Sequence, residues 1–443
     1  MSSPTIAIVG AGPAGLMAAE VLSAAGLNVH VYDAMPSVGR KFLLAGLGGL
    51  NLTHAEPFDP FVSRYGARSA ACTPWLQTFG PQAVRDWAQS LGINTYVGTS
   101  QRVFPTDMKA APLLRAWLHR LRHPPQGTPV TFHMRHRWNG QLQSTNVQAS
   151  ADAPLAHPFA LQFDTPHGPL TAHADVLLLA LGGGSWARLG SDGAWQAWLT
   201  QEGVDVAPLR PSNCGFDVQV NHRKGWSEHF ASRFAGEAFK SVQLSFTNAL
   251  GQSIKRKGEF VATTTGMEGS LVYAASALLR DEIERSGHAT LHLNLRPEWS
   301  AERVLAEVSH PRGSKSLSSH LKSRLNLNNL QLGLLHEVLS KEAMHQPDQL
   351  AHTIQHLPIT VCATRPLDEA ISSSGGVRLE ALSAELMAPT RPGLFFAGEM
   401  LDWEAPTGGY LLTACLASGH VAAGGVLAYV QTRSGTSPNT SPL

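Results

Sequence analysis

The chain lacks the residues on which several common chemistries depend. It has four cysteines, Cys72, Cys214, Cys362 and Cys415, and no two of them form a CxxC pair. A thioredoxin-like dithiol and a zinc knuckle are thereby excluded, and the usage suits a reducing cytoplasm. No G-x-S-x-G, no G-x-x-x-x-G-K-[ST] and no H-E-x-x-H occurs. Nucleophile-elbow hydrolysis, P-loop phosphoryl transfer and zincin chemistry therefore have no signature here. Net charge is only +1, so no global field draws nucleic acid or a membrane surface. No signal-peptide pattern is present, because the N-terminal apolar residues run straight into a glycine turn. The segment from Gly409 to Val430 contains no Lys, Arg, Asp or Glu. Its Gly, Ala and Ser content, with His420, predicts a helix buried against a sheet rather than a membrane span. From Gln431 the chain turns Ser/Thr/Pro-rich, and residues 431–443 are expected to be a disordered tail.

What is present begins almost at the first residue. Thr5-Ile6-Ala7-Ile8-Val9 reads as a strand, Gly10-Ala11-Gly12-Pro13-Ala14-Gly15 as a turn, and Leu16 to Ala25 as a helix. A second strand, Asn28-Val29-His30-Val31-Tyr32, ends on Asp33. This is the dinucleotide fingerprint in its required context. Gly10 permits the tight turn, Gly12 lets backbone approach a pyrophosphate, and Gly15 lets helix and sheet pack closely. The helix N-terminus offers free N–H groups and a positive dipole end to phosphate, and Asp33 can accept from an adenosine ribose.

Further along, a glycine-rich loop spans Gly39 to Asn51, followed by helical patterns at Pro74–Leu91 and Ala110–Leu121. Pro124 to Pro169 reads as a small antiparallel appendage, with runs at Val130–His133 and Phe159–Phe163. Asp175–Leu181 is a continuous apolar strand, hence buried on both faces, and stops at Gly182-Gly183-Gly184. From Pro208 short alternating strands appear, at Gly215–Val220, Val242–Phe246 and Glu259–Thr263. Arg280 to Glu342 is mainly helical, Ile359–Ala363 leads back, and Gly393–Gly398 is another buried strand ending in glycine. The expected plan is a discontinuous dinucleotide-binding domain (1–207 and 364–430), an inserted β domain (208–272 and 346–363) and a helical domain (273–345).

Only one complete fingerprint occurs, so one dinucleotide is held permanently. The C-terminal half chooses between FAD and NAD. Phe395-Phe396-Ala397-Gly398-Glu399-Met400-Leu401-Asp402 is a strand running into an acidic loop, and Pro406-Thr407-Gly408-Gly409-Tyr410 opens a helix. Flavoproteins use such a strand end to hold the ribityl chain. They aim a helix N-terminus at the N1/C2=O edge, where reduction places negative charge.

Several pieces together resemble a known family, the aminoacetone-oxidase-like FAD-binding proteins of the BaiN/YhiN type. They are Gly39-Arg40-Lys41-Phe42-Leu43-Leu44, Arg102-Val103-Phe104-Pro105, Leu181-Gly182-Gly183-Gly184-Ser185, Gly398-Glu399-Met400-Leu401-Asp402 and Thr407-Gly408-Gly409-Tyr410. The resemblance runs from about Thr5 to Gly425. It implies FAD, an α/β fold with a Rossmann-type domain, an inserted β-barrel-like domain and a helical domain. Family members are associated with amine oxidation, with reduction of conjugated C=C bonds in steroids and with reduction of uridine in ribosomal RNA. One departure stands out. Many members read Gly-Gly-Gly-Arg-Cys-Asn where this chain has Gly46-Leu47-Gly48-Gly49-Leu50-Asn51. Gly49 and Leu50 replace the Arg and Cys, which marks a distinct subgroup and puts any reaction needing that thiol or guanidinium in doubt.

The expected cofactor contacts are Gly10, Gly12, Pro13, Ala14, Gly15, Asp33, Arg40, Lys41, Asn51, Gly182, Gly183, Gly398, Glu399, Asp402, Gly408, Gly409 and Tyr410. The catalytic acid or base is unassigned, with His54, Asn51 and Arg102 as candidates. His54 is the residue of the loop able to exchange protons near pH 7. NAD(P)H stands as a transient electron donor. Arg115, His119, Arg120, Arg122 and His123, then Arg135, His136 and Arg137, with Lys255-Arg256-Lys257, form a basic set. It reads as a solvated face first and as an RNA surface second. His119 and His123 lack a third ligand, so no metal is expected. Three readings stay open: an FAD-dependent oxidoreductase acting on a small molecule, a flavin-dependent RNA-modifying reductase, and a flavin-holding protein without turnover.

Overall fold

The computed structural model describes residues 3–46, 48–144 and 158–433. Leu47, part of the appendage and residues 434–443 of the expected tail lie outside them. The chain divides into two compact units, Met1–Arg210 with Ser372–Leu443, and Pro211–Ile371.

The first unit is built on a parallel sheet. Its strand order is Leu394–Phe396, Val176–Leu179, Thr5–Val9, Asn28–Asp33, Thr131–Met134. The central strands are apolar on both faces, as a parallel sheet covered by helices requires. Register places Val9 beside both Leu179 and Tyr32, so the strands end together. The helix Pro13–Ala24 begins there with Gly12 as N-cap and Pro13 in its first turn. The terminal helix Tyr410–Arg433 crosses it closely: a Cβ at Gly419 would stand 2.3 Å from the Ala14 carbonyl oxygen. Among the described residues this is the one helix long and apolar enough to cross a membrane, and most of its apolar window is buried inside the protein. That is the core helix expected from its composition. It runs to Arg433, so Gln431, Thr432 and Arg433 are helical rather than tail.

Two local readings are corrected. The pattern at Pro74–Leu91 is two helices, Ser69–Thr78 and Pro81–Ser90. Gly80 caps the second and Pro81 sits in its first turn, the usual break. Val130–His133 does not belong to the appendage. Thr131–Met134 adds in parallel to Asn28–Asp33, with Tyr32 beside His133. The appendage proper is the antiparallel set Arg137–Ser144, Phe159–Thr165 and Gly168–Ala174. Where it meets the edge strand, Phe163 stacks on Tyr32 with ring centroids 4.5 Å apart. His133 stacks on Tyr32 at the same distance.

The second unit is a closed antiparallel barrel of six strands. In order they are Phe216–Val220, Gly266–Glu268, Ser253–Ala262, Ala238–Thr247, Ala289–Asn294 and Leu357–Thr364, the last pairing back onto the first. The chain does not separate a helical domain at 273–345. Ala289–Asn294 falls inside that range, and its alternating Ala289, Leu291 and Leu293 complete the barrel. The helix Ala301–Ser309 buries Val304 and Val308, and the helices Leu317–Leu325 and Asn329–Val338 bury leucines, in the same core as the strands. Pro347–Gln355 is a helix, not part of a β segment.

Candidate cofactor site

The site lies where the parallel strands end, as open α/β sheets dictate. Three of its glycines are explained by packing. A Cβ at Gly10, where φ is +109°, would stand 2.2 Å from the Ala180 carbonyl oxygen. One at Gly15 would stand 2.0 Å from that of Gly10. One at Gly398 would meet the Ala14 side chain at 2.8 Å. Gly12 differs: a Cβ there would meet nothing within 4 Å. The helix that Gly12 caps has no side-chain cap bond, which leaves its first N–H groups without a capping acceptor.

Asp33 closes the adenosine side. Its two carboxylate oxygens accept from the Ala11 N–H at 2.8 Å and the Met35 N–H at 2.7 Å. Burial pushes the Asp33 carboxyl above its ordinary value against those two bonds. Each oxygen keeps a lone pair for a ribose hydroxyl. The Gly39 N–H donates to the Ala11 carbonyl at 3.0 Å and ties the short helix Arg40–Ala45 to the fingerprint loop. Arg40 Nε is buried there without a hydrogen-bond partner.

Gly182, Gly183, Lys41 and Glu399 converge on a buried polar chain. Lys41 Nζ donates to Glu399 Oε2 at 2.9 Å and to Ser185 Oγ at 3.0 Å. Glu399 Oε1 accepts from the Ser373 N–H at 2.9 Å, and Ser373 Oγ from the Gly184 N–H at 2.8 Å. Gly183 has no room for a side chain, since a Cβ would lie 2.3 Å from Ser373 Oγ. Gly182 takes φ +74° and its carbonyl accepts from Trp195 Nε1 at 3.0 Å. Ser373 carries no sequence signal: Ser372-Ser373-Ser374-Gly375-Gly376 has no apolar side chain, yet it is part of a buried strand, Ser372–Val377.

Asp402 and Tyr410 join a different cluster. Asp402 pairs with Arg68, which also holds Glu380. The Tyr410 hydroxyl donates to Glu56, which Arg64 grips through Nε and Nη2 at 3.1 and 2.7 Å. Burial works to raise the Glu56 carboxyl; the Arg64 and Tyr410 bonds outweigh it and hold it below its ordinary value. Burial and Glu56 push the Tyr410 phenol far up. The Tyr410 carbonyl accepts from Tyr65 at 2.8 Å. The side chains of Asp402 and Tyr410 are thus committed to neighbouring protein groups.

The glycine loop and the terminal-helix entry are adjacent. A Cβ at Gly409, φ +90°, would stand 2.5 Å from Thr53 Cα, and the Thr53 and Thr413 hydroxyls hydrogen-bond at 2.8 Å. At Gly408, φ +134°, a Cβ would meet the Tyr410 ring. The loop's N–H groups are not all available to a ligand, because Leu50 and Leu52 donate to the Met108 and Val103 carbonyls at 2.8 Å each. Asn51, between them, has a buried side-chain carbonyl oxygen with no partner. His54 pairs across the sheet with Arg102 and stacks on Tyr410 with centroids 5.2 Å apart. Burial, only partly offset by Glu56, lowers the His54 pKa, and its Nδ1 accepts from the Glu56 N–H at 3.2 Å. The His54 ring is thus engaged by the Glu56 N–H and the Tyr410 ring. Cys72 and Cys415 are buried thiols: burial pushes Cys72 up to about 12 and raises Cys415 as well.

These residues fit FAD. The uncapped helix, the open space at Gly12, and the unpartnered Arg40 Nε and Asn51 Oδ1 are polar groups and room with no protein use. The fold and site define a flavin-dependent oxidoreductase built on a dinucleotide-binding sheet. Comparison with known proteins gives the family: residues 4–425 match the model of the HI0933-like protein Rossmann domain, and the chain belongs to that family. It is 25% identical over 431 residues to a 3-dehydro-bile acid delta(4,6)-reductase of Clostridium scindens, covering 94% of this chain and 97% of the relative. It is 26% identical over 411 residues to a ribosomal RNA dihydrouridine synthase of Escherichia coli, covering 91% and 93%. Among solved structures, a 3-ketosteroid delta1-dehydrogenase from Sterolibacterium denitrificans superposes with a TM-score of 0.48 at 12% identity, over 96% of this chain and all of that one.

Proposed function

We propose that this protein uses FAD to reduce a ring C=C bond conjugated to a carbonyl in a small molecule, with NAD(P)H as transient donor. FAD, when bound, supplies hydride chemistry at N5. The reduction is balanced by a hydride on the carbon β to the carbonyl and a proton on the α carbon. The names of both relatives, a delta(4,6)-reductase and a dihydrouridine synthase, describe additions of hydrogen across such bonds. The observation that carries the reading is the polar cradle with its two orphaned atoms, Arg40 Nε and Asn51 Oδ1. The uncapped helix at Gly12 takes the pyrophosphate charge and Asp33 the ribose hydroxyls. Asn51 lies on the loop beside the terminal-helix entry, and its free carbonyl oxygen would accept from a ring N–H of a bound flavin. The N-terminus of Tyr410–Arg433 would stabilise negative charge on a flavin held there.

A small molecule is favoured over RNA because three arginines of the basic set are spent on the fold. Arg120 binds Glu20 and Ser90, Arg137 binds Asp192, and Arg122 lies over the Phe132 ring. The test is anaerobic stopped flow. NADH or NADPH is mixed with the holoprotein, then the reduced protein with cyclic enones, steroid enones or a uridine-containing RNA. Bleaching by the nicotinamide and rapid recovery of flavin absorbance with an enone are expected. Recovery with RNA alone would favour the RNA-modifying reading, and no recovery with any acceptor a non-catalytic flavin holder.

A further inference from the structure

We propose that the adjacent cations Arg40 and Lys41 divide their work: Lys41 is a positioning residue that holds Glu399 toward the ribityl hydroxyls, while Arg40 is the one of the two that meets the charged adenosine-diphosphate half. The inference rests on the FAD reading.

Both residues sit on one short helix and look equivalent in sequence. Their surroundings are not. Lys41 spends two of its three N–H donors inside the protein, on Glu399 and Ser185. An ammonium neutralised by a carboxylate 2.9 Å away offers little net charge to a phosphate. Glu399 needs it: its side chain is 8% exposed, and a carboxylate so buried is costly without a cation and hydrogen bonds. Through Ser373 and Gly184 the pair joins the Arg40–Ala45 helix, the turn after Val176–Leu179, the strand Ser372–Val377 and the Gly398 turn. Glu399 has two protein partners and about four acceptor directions. The free ones suit hydroxyl donors, which a polyhydroxylated chain supplies and a phosphate does not. Arg40 has no carboxylate pair. Its Nη1 makes a 3.4 Å contact with Ser37 Oγ, and its Nε is buried and unpartnered. The Nε–H is a buried donor with no acceptor in the protein.

The experiment is a double-mutant cycle on FAD affinity, measured by titrating deflavinated protein with FAD and following flavin fluorescence. Lys41→Met and Glu399→Gln should each weaken FAD by about tenfold or more, the scale of a charge-assisted bond. Lys41→Met/Glu399→Gln should be within about twofold of Glu399→Gln alone, because Lys41 acts through Glu399. Arg40→Gln should weaken FAD by about tenfold in either background, so its effect multiplies with that of Glu399→Gln. If Lys41→Met does not fold, comparing the double variant with Glu399→Gln still decides the point, since neither leaves a buried carboxylate unpaired. A further tenfold loss on adding Lys41→Met to Glu399→Gln overturns the inference and leaves the FAD reading intact. Wild type that takes up no FAD overturns both.

Discussion

Gly409 rests directly on the Thr53 backbone, where a Cβ would come within 2.5 Å of Thr53 Cα. The helix entry and the loop end are packed backbone on backbone, and φ at Gly409 is +90°. Gly409→Ala should therefore cost stability with or without cofactor, by about 2–4 kcal/mol from clash and backbone strain. Urea denaturation of apo and holo forms checks this. A shifted flavin potential with unchanged apo stability would instead make Gly409 a residue of flavin contact only.

Gly12 should behave in the opposite way. Its φ is −84° and its Cβ direction is open. Gly12→Ala should change apo stability by no more than about 1 kcal/mol. The added methyl would stand where a pyrophosphate must approach, so FAD occupancy after purification should fall severalfold. Full occupancy in Gly12→Ala would move the phosphate away from this helix.

The ring stack on the edge strand predicts acid sensitivity. His30 Nδ1 and His133 Nε2 are 3.0 Å apart, and His133 also faces His136, Tyr32 and, beyond Tyr32, Phe163. Burial first, then His30 and His136, lower the His133 pKa from 6.5 to about 4. The unfolded chain thus takes up a proton near pH 6.5 that the fold accepts only near pH 4. The stabilisation is complete above pH 6.5 and is lost as pH falls through that window. His133→Phe keeps the stack and removes the titration, so its thermal midpoint should drop less between pH 7 and 5 than that of wild type. Parallel drops would assign the acid sensitivity elsewhere.

Much of this fold was readable because it rests on local rules. A strand, three glycines and an acid at fixed spacing place Gly10 to Asp33 without knowledge of the rest, and the fold follows them. Apolar runs such as Val176–Leu179 and Leu394–Phe396 declare burial on both faces. Non-local choices were not readable. Thr131–Met134 is four residues long and suits an appendage or a sheet edge equally; only its partner decides. Ala289–Asn294 lies among helices and becomes a strand because the barrel needs closing. At the site, composition assigned charges to the ligand that the fold assigns to one another: Lys41 to Glu399, Asp402 to Arg68, Tyr410 to Glu56. Pairings across hundreds of residues leave no local trace, and Ser373, the partner that orders Glu399, lies in a run of serines and glycines with no apolar side chain to declare its burial.

Glu20 tests whether the basic helix belongs to the fold. Its carboxylate accepts from Trp87 Nε1 at 3.0 Å, Trp117 Nε1 at 2.6 Å and Arg120 Nη1 at 2.8 Å. Glu20→Ala strands all three donors and should cost about 2–4 kcal/mol in chemical denaturation. A loss below about 0.5 kcal/mol would release Arg120 from its structural role and strengthen the RNA reading.

Asn51 separates a group kept for a ligand from one kept for the fold. Its side-chain oxygen is buried and unpartnered, an arrangement that costs about 1–3 kcal/mol in a protein with no use for it. Leucine at this position removes the unmet acceptor at similar size. Asn51→Leu should therefore leave the apoprotein as stable as wild type or more so. If the oxygen accepts from the flavin ring, the same change should lower FAD affinity severalfold and alter the flavin absorbance and reduction potential, the latter read by a dye-coupled titration. The two measurements must move apart: stability held or raised, flavin properties changed. Reduced apo stability with an unaltered flavin would make Asn51 a structural residue and leave Arg40 as the one orphaned donor that speaks for the cofactor.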